Sequence, residues 1–409
     1  MKTILNFFKY LICYLFYPIS FLIPRSKKIL AFGSYRGAFN DNSKYLFLLS
    51  NIYKERLPQM RLVWISTDKK TTEYVRNLGL DAYYVGSLKG IYYALRAKYW
   101  FVNSYTSDIM FCLAGGATVV NLWHGVPMKC IEFGITQGEL KKRYIDKEFW
   151  DVFFHPAPFR RPDYMGSTTP FFDDVFSKSF RISKEQCIHI GCPRNLMLNE
   201  PKEAVEQFAK KYEPQHVNDL IAKLKQFSKV YVYMPTWRDS QANVFANGFD
   251  LEKFNNTLKA KNAIALMKPH VNTIIDNSKE YSNLLFINNK TDMYCILPFT
   301  DVLITDYSGT IYDYLLMQDK GVILFHYDYD EYVKERDFIF PIEQEITGKR
   351  VYNFDEFIAA IKNDNDKVDE AERKRIVEKF WGNTMLQTET NDRTWKHIEN
   401  IFKQIKIIE

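Results

Sequence analysis

The chain has 409 residues, 46% hydrophobic and 16% aromatic, which is more than one ordinary core can use; two domains of roughly 200 residues are expected and extensive disorder is excluded. The net charge of +6 suits anionic lipid or phosphate, and with no arginine-rich arm, zinc-finger spacing or RNA-binding aromatic signature a nucleic-acid partner has no support. The six cysteines form no CxxC and lie mostly in apolar runs, the pattern of reduced thiols and not of a disulfide framework.

Residues 1–26 open the chain with an apolar, aromatic-rich run from Tyr10 to Ile23. At about 14 residues it is shorter than the roughly 20 needed to span a bilayer. Lys2 and Lys9 precede it, Arg25, Lys27 and Lys28 follow, and no small-residue cleavage site comes after. Aromatics with flanking cations predict an interfacial helix on the anionic cytoplasmic face of the cell membrane; the alternative is a first helix buried against the domain.

From 27 to 195, short β-rich runs alternate with helical patterns. Strands are expected at "KKILAFGS" (27–34), "RLVWIS" (61–66), "DAYYVG" (81–86), "KYWFVNS" (98–104), "ATVVNLW" (117–123), "DVFFHP" (151–156) and "CIHIGCP" (187–193). A polar, helix-rich stretch joins this part to a second one, 196–366. There "VYVYMPTW" (230–237), "AIALMKP" (263–269), "LLFINN" (284–289), "DVLITDYS" (301–308) and "GVILFHYD" (321–328) read as a second parallel set. Continuous apolar strands alternating with helices predict parallel sheets covered on both faces, hence two doubly wound, Rossmann-like α/β domains and a charged helical tail, 367–409.

Ligands of such sheets bind beyond the carboxyl ends of the strands. In "NLWHGVPMK" (121–129), His124 leaves a strand into a Gly/Pro turn, as a packed residue, a metal ligand or a base. In "DVLITDYSGTIYDYLL" (301–316), a strand ends at Thr305-Asp306 and a Ser/Gly/Thr turn leads into a helix. Free amides there, the hydroxyls of Ser308 and Thr310 and the bare backbone of Gly309 suit an anion; a plain N-cap is the alternative. "KPH" puts Lys268 and His270, and "MPTWRD" puts Arg238, at other strand ends of the same domain. Together these groups argue for a phosphate-bearing donor.

"WHGVPMK", "GCPRN" (191–195), "PTWRD", "KPH", "TDYSGTIYDYLL" and "FHYDYDEYVKERDF" (325–338) occur in order over about 115 to 350. This series resembles the CDP-glycerol glycerophosphotransferase family, the teichoic-acid primases and polymerases. The resemblance implies a GT-B fold, a CDP-glycerol or related CDP-polyol donor in the C-terminal domain and an acceptor facing the N-terminal domain. It also implies a lipid-linked or growing surface glycan as acceptor, peripheral attachment to the inner membrane leaflet, and no cofactor. The family's two essential histidines fall on His124 and His270, and its Thr-Asp-Tyr-Ser-Ser stretch on Thr305 to Gly309. Here the sequence departs, because glycine stands at 309 in place of the second serine. The family's helix aspartate falls on Asp313, with a donor hydroxyl or solvent as its partner.

On this reading an acceptor hydroxyl attacks the β-phosphorus of the donor in line and CMP leaves. His124 is the expected base. His270 would contact the diphosphate, and Arg238 and the Ser308–Thr310 turn would neutralise developing charge. Gly125, Lys129 and His155 are acceptor-side candidates, each with a turn, solvated or packed residue as its alternative. No metal ligand set is assigned: "DYD" (328–330) resembles an Asp-x-Asp clamp but falls in a family segment without that role. P-loop, GxGxxG, HExxH and GxSxG motifs are absent. A ribitol donor, a nucleotide-sugar GT-B glycosyltransferase and a catalytically silent assembly subunit are the competing expectations.

Overall fold

The runs Leu30–Phe32, Leu62–Ile65 and Ala263–Met267 are buried at every residue, which is what parallel strands with helices on both faces require. The computed structural model describes residues 2–236, 249–268, 280–288, 290–335, 337–384 and 392–409. Two parallel sheets result. The first contains β1 (Ser26–Phe32), β2 (Arg61–Ser66), β3 (Ala82–Tyr84), β4 (Ala97–Val102), β5 (Thr118–Asn121), β6 (Tyr164–Ser167) and β7 (Cys187–His189), in the order β3-β2-β1-β4-β5-β6-β7. The second contains β8 (Lys229–Tyr233), β9 (Ala263–Met267), β10 (Leu284–Phe286), β11 (Val302–Thr305), β12 (Gly321–Phe325) and β13 (Lys349–Val351), in the order β10-β9-β8-β11-β12-β13.

Both orders reverse direction once, between β1 and β4 in the first sheet and between β8 and β11 in the second. Such a reversal splays the loops on either side and leaves a crevice at the carboxyl ends. The expected doubly wound α/β class is therefore what the chain forms. No disulfide joins any of the cysteines.

The chain divides into two compact units: 1–124, 130–196 and 381–409 form one, and 125–129 with 197–380 form the other. The return of the C-terminus has a clear packing cause. Helix Arg393–Gln404 lays Phe402 against Phe101 of β4 (ring centroids 6.0 Å), and Gln404 Nε2 donates to the carbonyl of His189 at 3.1 Å.

One expected strand is a helix. "DVFFHP" reads as a strand, but Phe149–Phe154 is helical, and the strand of this region is β6, fifteen residues after the helix begins. Its aromatic rings face α1 (Lys2–Ser20): Phe153 stacks on Phe7 at 5.4 Å and on Tyr14 at 5.3 Å. A short apolar run does not distinguish strand from helix, and this tertiary partner decides it.

α1 keeps a long apolar row exposed: Ile4, Leu5, Phe8, Ile12, Leu15, Phe16 and Ile19 face solvent, as do Phe149 and Trp150 beside it. No helix among the described residues is long and apolar enough to cross a membrane. Arg25, expected as an interfacial cation, turns inward instead. It donates to the carbonyls of Ala94, Ala97, Leu113 and Gly115 at 2.6–2.9 Å, and burial lowers its pKa to about 10.

Candidate active site

In the first unit, the loops leaving β1, β4 and β5 are tied by a buried polar network. Asn103, just past β4, donates from Nδ2 to Ser34 Oγ (2.9 Å) and accepts at Oδ1 from the amide and hydroxyl of Ser43 (2.9 and 3.0 Å). Asp108 Oδ2 accepts from the amides of Asn103 and Ser104, both at 2.9 Å; burial pushes its carboxyl up to about 7. Asn121 closes the end of β5, donating to the Ser104 carbonyl at 2.7 Å and accepting from the Trp123 amide at 2.9 Å. These directed partners link the loops to one another and hold them in one conformation.

That conformation delivers His124. Trp123 adopts φ 54°, an unfavourable region for a bulky residue, and Gly125 adopts φ 120°. Strain of this kind persists only where surroundings enforce it. Asn42 Nδ2 holds the Trp123 carbonyl at 2.9 Å, and Arg194 Nη2 holds the His124 carbonyl at 2.9 Å. Arg194 is itself fixed by Asp41 Oδ1 at 2.5 Å. Asp41 and Asn42 begin α2 (Asp41–Ile52).

His124 Nδ1 lies 3.2 Å from the carbonyl oxygen of Asn103. A carbonyl only accepts, so Nδ1 carries the proton and Nε2 presents a lone pair. Solvent reaches the ring, yet the protein packed around it displaces enough water that desolvation lowers its pKa below 6.5. The nearby Asp41 carboxylate and the Asn103 carbonyl oppose that shift, and Arg194 adds to it. The resulting group is a neutral imidazole near pH 7, with Nε2 able to take a proton.

In the second unit, the residues flanking the β8/β11 reversal form a second cluster. Asp306 is 2% exposed, and its Oδ1 accepts from the amide (2.9 Å) and hydroxyl (2.5 Å) of Thr236. Thr305 Oγ1 donates to the Met234 carbonyl at 2.8 Å. Both side chains therefore pin the ends of β8 and β11 together. Beyond them, Ser308, Gly309 and Thr310 are half-buried, with Ser308 Oγ 3.2 Å from Thr310 Oγ1. The helix that follows, Thr310–Tyr314, has only five residues, so any anion here meets local amides and hydroxyls and little macrodipole.

Glycine at 309 has a steric cause. A Cβ there would sit 2.5 Å from the Val126 carbonyl oxygen. The backbone of 125–129 is held in this unit by the Ile339 amide, which donates to the Met128 carbonyl at 3.0 Å, and by a bridge between Lys129 and Phe338.

Several site expectations change in detail. Asp313 does not face solvent: it is 1% exposed, and the Tyr294 hydroxyl donates to its Oδ2. Lys129 lies over the Tyr332 ring, Nζ 5.0 Å from the centroid, and Lys268 Nζ donates to the Thr291 carbonyl at 2.9 Å. His155 is not at a strand end; it caps the exposed helix Phe149–Phe154, with Nδ1 2.8 Å from the Asp151 carbonyl. Arg238 and His270 lie outside the described residues. Among the described residues no three His, Cys, Asp or Glu side chains are grouped to hold a metal. The positioning groups Asn103, Asp41, Asn42 and Arg194 are not singled out by sequence reasoning, although Arg194 in "GCPRN" and the Asn after β4 are polar residues at strand ends.

Two doubly wound parallel sheets, each with a polar cluster at the carboxyl side of its strands, define the class: a GT-B-type fold. A solved wall teichoic acid polymerase, TagF, shares it with a TM-score of 0.75 at 21% identity, covering 99% of this chain and 97% of that one. Residues 15–386 match the model of the CDP-Glycerol:Poly(glycerophosphate) glycerophosphotransferase family, and the chain belongs to that family. It is thus a polyol-phosphate transferase. Similar curated proteins include a teichoic acid glycerol-phosphate transferase of Staphylococcus aureus, 27% identical over 86% of this chain and 88% of that one. A teichoic acid poly(glycerol phosphate) polymerase of Bacillus spizizenii is 27% identical over 85% and 87%. A teichoic acid ribitol-phosphate polymerase of Staphylococcus aureus, TarK, is 27% identical over 85% of this chain and 64% of its own length.

Proposed function

We propose that the chain transfers glycerol phosphate from CDP-glycerol to a hydroxyl of a lipid-linked or growing teichoic-acid-type glycan, releasing CMP. The observation that carries the reading is His124, with Nδ1 on the Asn103 carbonyl and Nε2 left to accept a proton. In the proposed step the acceptor oxygen forms a bond to the donor's β-phosphorus while its proton passes to Nε2. The bond from that phosphorus to the bridging oxygen breaks, and CMP carries the electron pair away. The Ser308–Thr310 turn and Lys268 take the donor phosphates, joined by Arg238 and His270; Thr305 and Asp306 tie the strand before that turn to the end of β8, and Asp313 lies on the helix after it. Gly125 turns the chain after His124, and Lys129 and His155 remain acceptor-side proposals. Positioning and electrostatic stabilisation of the phosphates supply most of the acceleration expected for phosphoryl transfer, and a matched base adds to it.

Glycerol is favoured over ribitol because two relatives matched along most of both chains, over 88% and 87% of their own length, are glycerol-phosphate enzymes. Peripheral attachment to the cytoplasmic face of the membrane is supported by the exposed apolar row of α1 and by Trp150 next to it. The test of donor choice is a panel of CDP-glycerol, CDP-ribitol and nucleotide sugars, with CMP release and product mass measured. Preferred turnover of CDP-ribitol, or release of a nucleoside diphosphate from a nucleotide sugar, would overturn the reading.

A further inference from the structure

The peptide group between Asn103 and Ser104 is hydrogen-bonded at both of its edges. Its carbonyl oxygen accepts from His124 Nδ1 at 3.2 Å, and its amide, that of Ser104, donates to Asp108 Oδ2 at 2.9 Å. A trans peptide points these two groups in opposite directions, and no peptide bond among the described residues is cis. Histidine, peptide and carboxylate therefore stand in line, with one amide plane between the base and the acid.

The local sequence builds this arrangement. "NSYTSD" (103–108) leaves β4 and closes in the 3-10 helix Thr106–Asp108, which returns the carboxylate to the start of the segment. Oδ2 also accepts from the Asn103 amide at 2.9 Å, so two donors fix the side chain. Gly33, just past β1, lets the segment pack closely: a Cβ there would sit 2.8 Å from the Asp108 carbonyl oxygen. Asp108 is wholly buried, where a charge acts through protein and is little screened by water.

We propose that Asp108 is a positioning residue for the transfer step, acting on His124 through the Asn103–Ser104 peptide to strengthen it as a base. The inference rests on the base role given to His124 above. A carboxylate at the N–H edge of a peptide polarises it toward the carbonyl oxygen, and chained hydrogen bonds reinforce one another. The oxygen becomes a better acceptor for Nδ1–H, which fixes the tautomer and stabilises the imidazolium formed when Nε2 takes the acceptor's proton. Desolvation still keeps the pKa of His124 below 6.5, and Asp108 limits how far it falls. Two other charges bear on the pair: Asp41 on both groups and Arg194 on His124. Burial raises the Asp108 carboxyl to about 7. Its protonation weakens the base without removing it, so the main acid limb of turnover remains that of His124.

The test is an NMR titration of full-length protein carrying isotope-labelled histidine, beside turnover of CDP-glycerol, in wild type and Asp108→Asn. The carboxamide oxygen can keep both amide bonds while the charge is lost. The pKa of His124 should fall by about one unit with Nδ1 still protonated, and kcat by about threefold, with KM for CDP-glycerol unchanged. A residue that only braces the loop would leave that pKa in place, so an unshifted His124 pKa in the folded variant would overturn the proposal. Should the variant fail to fold, wild type decides. Its His124 Nδ1–H resonance should move downfield as Asp108 ionises about pH 7, and a resonance that stays put would overturn the proposal. A shifted His124 in a protein that turns over no CDP-polyol would support the relay and refute the transfer reading.

Discussion

The Nδ1 atom of His124 lies 3.2 Å from the main-chain carbonyl of Asn103, and this one contact determines which face of the imidazole is chemically available. Asn103 is held by Ser34, Ser43 and Asp108, so the carbonyl cannot rotate away without breaking contacts to three other segments. A neutral tautomer whose Nε2 has no hydrogen-bond partner among the described residues is a property of the folded first unit.

The pH dependence of turnover follows. The base works when neutral, and desolvation lowers its pKa below 6.5, so the acid limb of kcat/KM should have its midpoint below 6.5. Arg194 contributes to that lowering, and Asp41 opposes it. Arg194→Gln removes a positive charge and leaves Asp41 without this ion-pair partner, so both effects favour the imidazolium. The acid limb should move to higher pH, with activity lost most below neutrality, as measured by CMP release across a buffer series.

Gly309 should resist substitution. A Cβ on this residue, 2.5 Å from the Val126 carbonyl oxygen, would meet backbone and not a movable side chain. Gly309→Ala or Gly309→Ser must push the two segments apart, at about 1–3 kcal/mol by analogy with overpacked sites. Thermal melting should report the loss, and a melting temperature equal to wild type in both variants would contradict the steric account. A serine at 309 is therefore not a harmless return to the family pattern in this chain.

The exposed row of α1 predicts reversible membrane binding. Leu5 is 74% exposed and Leu15 62%, so Leu5→Asp/Leu15→Asp should leave melting unchanged while reducing cosedimentation with anionic vesicles several-fold. Wild-type protein that stays in the supernatant with such vesicles would contradict the proposal.

Much of this was legible in the sequence because the strands are continuous apolar runs and their ends carry unusual residues. His124, Thr305, Asp306 and the Ser308–Thr310 turn all fall where strand-end reasoning places them. The errors share a cause in tertiary context. "DVFFHP" forms a helix because its rings find partners on α1, and this carries His155 away from a strand end. Arg25 turns inward because four main-chain carbonyls converge on it from segments up to 90 residues away. Asp313 is buried against Tyr294, a residue from the preceding loop that no helical periodicity reveals. Asn103 and Arg194 act on the His124 segment through backbone carbonyls, and pairings between distant loops leave no periodic trace.

The most direct measurement of the central claim is single-turnover CMP release by His124→Gln, with CDP-glycerol and a glycerol phosphate acceptor, beside donor binding by the same variant. Loss of the base should slow the chemical step about 100- to 10,000-fold while donor affinity stays within a few-fold of wild type. Near-normal CMP release from that variant would contradict the assignment of His124 as the residue that takes the acceptor's proton.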